Sequence, residues 1–188
     1  MELHSYLNNF YKISTADYQL LIEKFKTKSF KKNEFLCMPG QVQKVLYFVK
    51  SGVQMSYFDA ANKSHVIAFT YPPNFCAIPD SFSFQKPSNY FLTCLTESEL
   101  DYISFEDLQS VFEQSQVLER LFRKMTETVL GGILNRHVEL HALTIEDRFI
   151  AFCQRSPQLL QLVPHKYIAS YLGIDPTNFS KLYNSVKF

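Results

Sequence analysis

The spacing of hydrophobic and polar positions changes along the chain. Up to about residue 27 the apolar residues fall at helical intervals: Leu3, Leu7 and Phe10, then, after Ser14, Leu20, Leu21 and Phe25. From about 29 to 104 the pattern breaks into short apolar or alternating runs: EFLCM, VLYFVKSG, VQMSYF, HVIAFTY, NYFLTCL and ELDYISF. Turn-forming residues separate them at Pro39-Gly40, Ser51-Gly52, Asp59 to Asn62, Pro72-Pro73-Asn74 and Lys86 to Asn89. Six or more short strands so spaced predict an antiparallel sandwich, barrel or jelly roll, interrupted at most by a helical turn or two around Phe75–Phe82.

Helical spacing returns at Phe105. Leu108, Val111 and Phe112 predict a short amphipathic helix, and Gln116–Leu140 then runs on without a proline. Its apolar positions are Leu118, Phe122, Met125, Val129, Ile133 and, less strictly, Leu140, with Leu121, Leu130 and Leu134 widening the stripe. About twenty-five helical residues span roughly 37 Å. A stripe this wide serves both its own domain and a second helix, as in a dimer. Gly131-Gly132 weakens the helix by roughly 1 kcal/mol per glycine. A kink, a break into two helices or close approach of a partner helix would each account for the pair, and we favour the last.

The final segment opens at Thr144, where TIED has capping-box spacing with Asp147 in place of Glu or Gln. Phe149, Ile150, Phe152 and Leu159 to Leu162 supply an apolar support layer. PHKYIASYLGIDPTNFSKLYNSV, residues 164–186, then reads as two short helices joined by a tight turn. Ile168, Ala169 and Leu172 form the inner face of the first helix, and Gly173 suits its C-terminus, where positive φ is needed. Asp175 caps the second helix, Pro176 stands at its first position, and Phe179, Leu182 and Val186 form its inner face. A small residue, a glycine four later and an apolar residue six after that are the ingredients of a helix-turn-helix. The opposite face of the second helix carries Thr177, Asn178, Ser180, Lys181 and Asn184, side chains that reach base edges and phosphates in a major groove.

Composition adds less. The formal net charge is +1, so no global basic signal points to nucleic acid. Residues 141–188 hold five Lys or Arg against three acidic residues, a net +2, which leaves −1 for the remainder. Lys24, Lys26, Lys28, Lys31 and Lys32 read as a solvated face. The four cysteines, Cys37, Cys76, Cys94 and Cys153, lack CxxC spacing and are expected to be free thiols in a reducing cytosol. The start, MELHSYLNNF, has no basic n-region or long apolar run, and no stretch approaches the length of a membrane span, so a soluble, unexported protein is expected.

The order of a β-rich domain, a long helix and a helical reading module resembles the Crp/Fnr family of bacterial transcription regulators. VLYFVKSGVQMSYF resembles that family's strand-glycine-strand segment in its cyclic-nucleotide-binding-like domain. TIEDRFIAFCQRSPQLLQLVPHKYIASYLGIDPTNFSKL resembles its C-terminal module, most closely at YIASYLGI and the short turn that follows. The resemblance implies an α+β fold. An antiparallel β-roll (a jelly-roll, cyclic-nucleotide-binding-like) with flanking helices would cover residues 1–115. A long dimerisation helix would cover 116–142, and a helix-turn-helix domain, with any wing short or absent, 143–188. It further implies a homodimer that binds double-stranded DNA in the cytoplasm, with RNA polymerase as a further partner. Half-sites would lie about one helical turn, roughly 34 Å, apart.

Residue by residue, the family reads DNA through a Glu-x-x-(Ser or Gly)-Arg pattern. Thr177, Ser180 and Lys181 stand at those positions. Ser180 fits, Lys181 keeps the charge without the bidentate fork, and Thr177 lacks the carboxylate, so a different or looser half-site is expected. His165 and Lys166, at the start of the first helix, are candidates for phosphate contacts. Family members that bind cyclic nucleotides use Gly-Glu for the ribose and Arg-Ser or Arg-Thr for the phosphate. Ala77-Ile78 and Ser88-Asn89 replace them here. Tight binding of cyclic AMP or cyclic GMP is therefore not expected. Phe75, Ala77, Ile78, Ser88, Asn89, Tyr90 and Phe91 are expected either to line a pocket for an unknown small-molecule effector or to fill it.

The cysteine spacing excludes an iron–sulfur cluster, and no cofactor is expected. His65 and Cys76 are haem-ligand candidates by residue type only. His137 and His141, at i and i+4, lack a visible third metal ligand, and His4 has no identifiable partner. No nucleophile elbow, P-loop, HExxH or dinucleotide fingerprint is present, so an enzyme is not expected. The alternative is an effector-binding or protein-interaction module whose helix-turn-helix no longer reads DNA specifically.

Overall fold

The computed structural model describes residues 3–61 and 63–185. Two short helices, α1 (Leu3–Asn8) and α2 (Thr15–Ile22), lead into eight strands. These are β1 (Lys26–Phe30), β2 (Phe35–Cys37), β3 (Val45–Ser51), β4 (Gln54–Ala60), β5 (Lys63–Thr70), β6 (Phe75–Cys76), β7 (Phe91–Cys94) and β8 (Ser98–Ser104), with α3 (Pro79–Phe84) between β6 and β7. They form two antiparallel four-stranded sheets, ordered β1-β8-β3-β6 and β2-β7-β4-β5.

Strand β3 shows how the layers are built. Its apolar run, VLYF, lies in a sheet covered on both faces. Leu46 and Phe48 pack against the helices, and Tyr47 and Val49 face the other sheet. Gly52 closes the turn to β4 with φ +90°, and a Cβ there would lie 2.6 Å from the Glu97 carbonyl oxygen, so only glycine fits. Between the sheets lie Phe30, Cys37, Tyr47, Val49, Cys76, Ile78, Leu92, Cys94 and Leu100, all buried.

The outer face of the first sheet is covered by α1, α2, α4 (Phe105–Gln114) and the start of α5 (Gln116–Ala142). Serine side chains set the helix starts: Ser14 forms a capping box with Asp17, Ser104 caps α4, and Ser115 caps α5. The Ser115 hydroxyl also donates to Asp17 at 2.6 Å, tying α2 to the start of α5 and holding the Asp17 carboxyl below its ordinary range.

Helix α5 runs through Gly131-Gly132 unbroken for 27 residues, about 40 Å. Its expected stripe divides. Leu118, Leu121 and Met125 are buried, whereas Val129, Leu130, Ile133 and Leu134, together with Val138 outside that stripe, are each more than half exposed. A Cβ at Gly131 or Gly132 would meet nothing within 4 Å.

Four helices follow: α6 (Ile145–Arg155), α7 (Leu159–Leu162), α8 (His165–Leu172) and α9 (Pro176–Ser185). Thr144 caps α6 and receives the Asp147 amide, and its hydroxyl donates to the Asp147 carboxylate at 2.6 Å. Phe149, Phe152, Leu159, Leu160, Ile168, Ala169, Leu172 and Phe179 make one core, which also takes in Val53, Met55, Val66 and Leu95 from the roll. Of the expected support layer, Leu162 points outward and is 48% exposed.

Candidate nucleic-acid interface

The turn between α8 and α9 is held by its own backbone. Gly173 adopts φ +62°, and the Ile174 amide donates to the Ala169 carbonyl at 2.9 Å. The Asp175 carboxylate accepts from the Thr177 amide at 2.8 Å, capping α9. Phe179 then enters the core, 1% exposed, edge-on to Phe149 with ring centroids 5.4 Å apart. Leu182 packs beside it, half-buried, and Val186, the next residue of the expected stripe, lies outside the described residues.

With Phe179 inside, Thr177, Asn178, Ser180, Lys181 and Asn184 are all exposed. Ser180 donates to the Pro176 carbonyl at 3.0 Å, and Asn184 donates to the Ser180 carbonyl at 2.9 Å. Both bonds stay within α9, and each side chain keeps an acceptor for an outside donor. Lys166 is exposed at the start of α8, its ammonium 4.8 Å from the Tyr167 ring centre. His165 differs. Its ring is half-buried, 4.3 Å from the Tyr183 ring and 5.3 Å from that of Phe179, with Nε2 3.3 Å from the Leu160 carbonyl oxygen. It braces α8 against α9 and does not lie with the exposed polar residues.

The roll residues considered for an effector pocket do not share one surrounding. Phe75 and Ala77 pack toward the helices, with Phe75 5.2 Å from Phe48 and 5.5 Å from Phe122 between ring centres. Ile78 and Tyr90 join the interior between the sheets. Phe91 faces outward and stacks on Tyr57 at 4.8 Å. Asn89 is exposed, and the buried Ser88 hydroxyl donates to the Tyr90 carbonyl while accepting the Tyr90 amide, both at 2.8 Å. The interior itself is occupied by side chains. Burial pushes the Cys76 thiol up to about 12, raises Cys94 and Cys37, and raises the Tyr47 phenol, so all stay neutral. His137 and His141 lie with ring centres 4.5 Å apart, both exposed, and no set of three metal-ligating side chains comes together among the described residues.

Several solved structures share this arrangement of roll, long helix and terminal helices. FixK2 from Bradyrhizobium japonicum superposes with a TM-score of 0.72 at 16% identity, over 85% of this chain and 83% of that one. The chain has the Crp/Fnr fold. A protein of Eubacterium rectale assigned to the Crp/Fnr family aligns at TM-score 0.68 and 16% identity, over 92% and 82% of the two chains. The c-di-GMP responsive regulator CLP of Xanthomonas campestris aligns at 0.64 and 16% identity, over 91% and 90%. No family model and no curated protein sequence matches the chain. Among the described residues no helix is long and apolar enough to cross a membrane.

Sequence reasoning passed over three residues that join the parts of this Crp/Fnr fold. Arg136 of α5 and Ser170 and Tyr171 of α8 meet at strand β5. An arginine inside an otherwise apolar helical stripe was the only signal available for the first.

Proposed function

We propose that the protein is a sequence-specific DNA-binding transcription regulator that works as a homodimer in the bacterial cytoplasm, with double-stranded DNA as its partner. The observation that carries this reading is the exposed polar face of α9, backed by buried Phe179 and presented on a Crp/Fnr fold. Asn178, Ser180, Lys181, Asn184 and Thr177 are assigned to the groove, and Lys166 to the phosphate backbone. His165 is assigned to bracing the two helices. The exposed stripe Val129, Leu130, Ile133, Leu134 and Val138 is assigned to the partner's α5, with the open space over Gly131-Gly132 allowing close approach. We assign it no catalytic role.

Cyclic AMP is not the effector on this reading. The interior is filled by apolar and neutral side chains, and Ala77-Ile78 and Ser88-Asn89 supply neither the carboxylate nor the cation that a ribose phosphate needs. An isotherm of micromolar affinity for cyclic AMP in calorimetry would contradict this. DNA reading is tested by selecting bound duplexes from a random pool at physiological salt. An enriched two-fold-symmetric site is expected. Salt-sensitive binding with no enriched sequence would instead favour the interaction-module alternative.

A further inference from the structure

Strand β5 is an edge strand, next to β4 only, and an edge presents backbone groups that need partners. Here the partners come from outside the sheet. The Ser170 hydroxyl accepts the Val66 amide at 3.0 Å and donates to the Ser64 carbonyl at 2.9 Å, so one α8 side chain bonds both a donor and an acceptor on the edge. Arg136 of α5 donates from Nη1 to the Ile67 carbonyl and from Nη2 to the Tyr171 carbonyl, the latter at 2.7 Å. The guanidinium lies 3.9 Å from the Tyr171 ring centre. Three elements, β5, α5 and α8, therefore meet through two side chains.

The chemistry of Arg136 is unusual for a packing residue. It is largely buried and makes no ion pair among the described residues, and its Nε has no partner there. Burying such a charge is costly, and an apolar residue of similar size would cover Tyr171 without that cost. What the guanidinium adds is a planar fork, with donors aimed at carbonyls on two separate elements. Beyond this junction, α6 is tied to α5 by the Arg155–Glu139 ion pair at 2.9 Å and by Arg148, which donates to the Leu140 and Leu143 carbonyls, and Tyr71 of the roll meets the Ser156 hydroxyl at 2.6 Å. These contacts hold α6 and its C-terminal end, whereas α9 follows α8 after only Gly173, Ile174 and Asp175. Whatever fixes α8 on the roll fixes the direction of α9.

We propose that Arg136 and Ser170 are positioning residues that clamp α8 to the edge of β5, and that this clamp sets which half-site spacing the two reading helices of the dimer accept. The spacing role rests on the DNA-binding reading above. The clamp itself does not.

Ser170→Ala and Arg136→Met, made in the full chain, test the two parts separately. Without DNA, amide exchange at Val66 is expected to speed up about tenfold in Ser170→Ala. An unchanged rate would overturn the clamp. With DNA, binding is compared on duplexes carrying the selected half-site at the preferred spacing and at spacings one or two base pairs longer or shorter. Arg136→Met is expected to reduce the preference for the best spacing about tenfold, with base preferences within the half-site unchanged. Arg136→Lys, which keeps charge but not the fork, is expected not to restore it. Equal weakening at every spacing would mean a purely structural role and overturn the proposal. If Arg136→Met does not fold, Ser170→Ala is read on the same duplexes. Absence of any duplex preference in the wild type would sink the DNA reading and the spacing role together, and the exchange result would still decide the clamp.

Discussion

Helices α8 and α9 are neighbours of eight and ten residues, and both bury an apolar stripe in the same core. Their polar faces do opposite things. On α8, Ser170 is bonded to the backbone of β5 and Tyr171 lies under Arg136. On α9, Ser180 bonds within its own helix, and Thr177, Asn178, Lys181 and Asn184 face solvent. Residue type does not separate the two, since a serine serves each. Placement does. A polar side chain facing a strand edge becomes a joint, and one facing outward remains available to a partner.

Removing the element that the two helices share should break the comparison altogether. Phe179→Ala is expected to cost about 3–5 kcal/mol in denaturant unfolding and to disorder both helices, because the ring is fully packed against Phe149 and His165. Ser170→Ala strands the Val66 amide at a partly buried edge and is expected to cost about 2 kcal/mol by the same measurement. Gly173→Ala changes only the turn. Its φ of +62° is strained for alanine, while the nearest atom to the added Cβ, on Leu140, lies at an acceptable 3.5 Å, so about 1 kcal/mol is expected. Lys181→Ala should leave the melting curve within about 0.5 kcal/mol, since the side chain is exposed. An α9 surface variant as destabilising as Ser170→Ala would erase the distinction drawn between the helices.

The helix-turn-helix was legible in the sequence because its determinants are local. Ala169, Gly173, Asp175 and Phe179 fall within eleven residues and fix a small residue, a turn, a cap and a pin. The strand β1 was less so: KTKSF has four exposed positions and forms by pairing with β8, helped by Thr27 donating to Asp101 at 2.6 Å. Its lysines suit an edge strand and mask the alternation that marks a half-buried one. The residues expected to line or fill a pocket divide between two surroundings for a reason inherent in strands. Successive residues around β6 alternate faces, so Phe75 and Ala77 point to the helices while Cys76 and Ile78 point between the sheets. The junction at β5 was invisible because its bonds join residues 69 and 104 positions apart. His165 was placed correctly at the start of a helix, but its ring orientation depends on Phe179 and Tyr183, which only the folded turn brings near.

Base reading by the outward face of α9 is tested most directly by equilibrium binding of wild type and Lys181→Ala across a range of salt concentrations. The duplexes are the selected site and a scrambled one of equal length. The wild type is expected to prefer the selected duplex by at least about 10³-fold. Lys181→Ala is expected to lose affinity and to show a shallower salt dependence, by about one released ion. Equal affinities for both duplexes, with Lys181→Ala indistinguishable from wild type at every salt concentration, would contradict it.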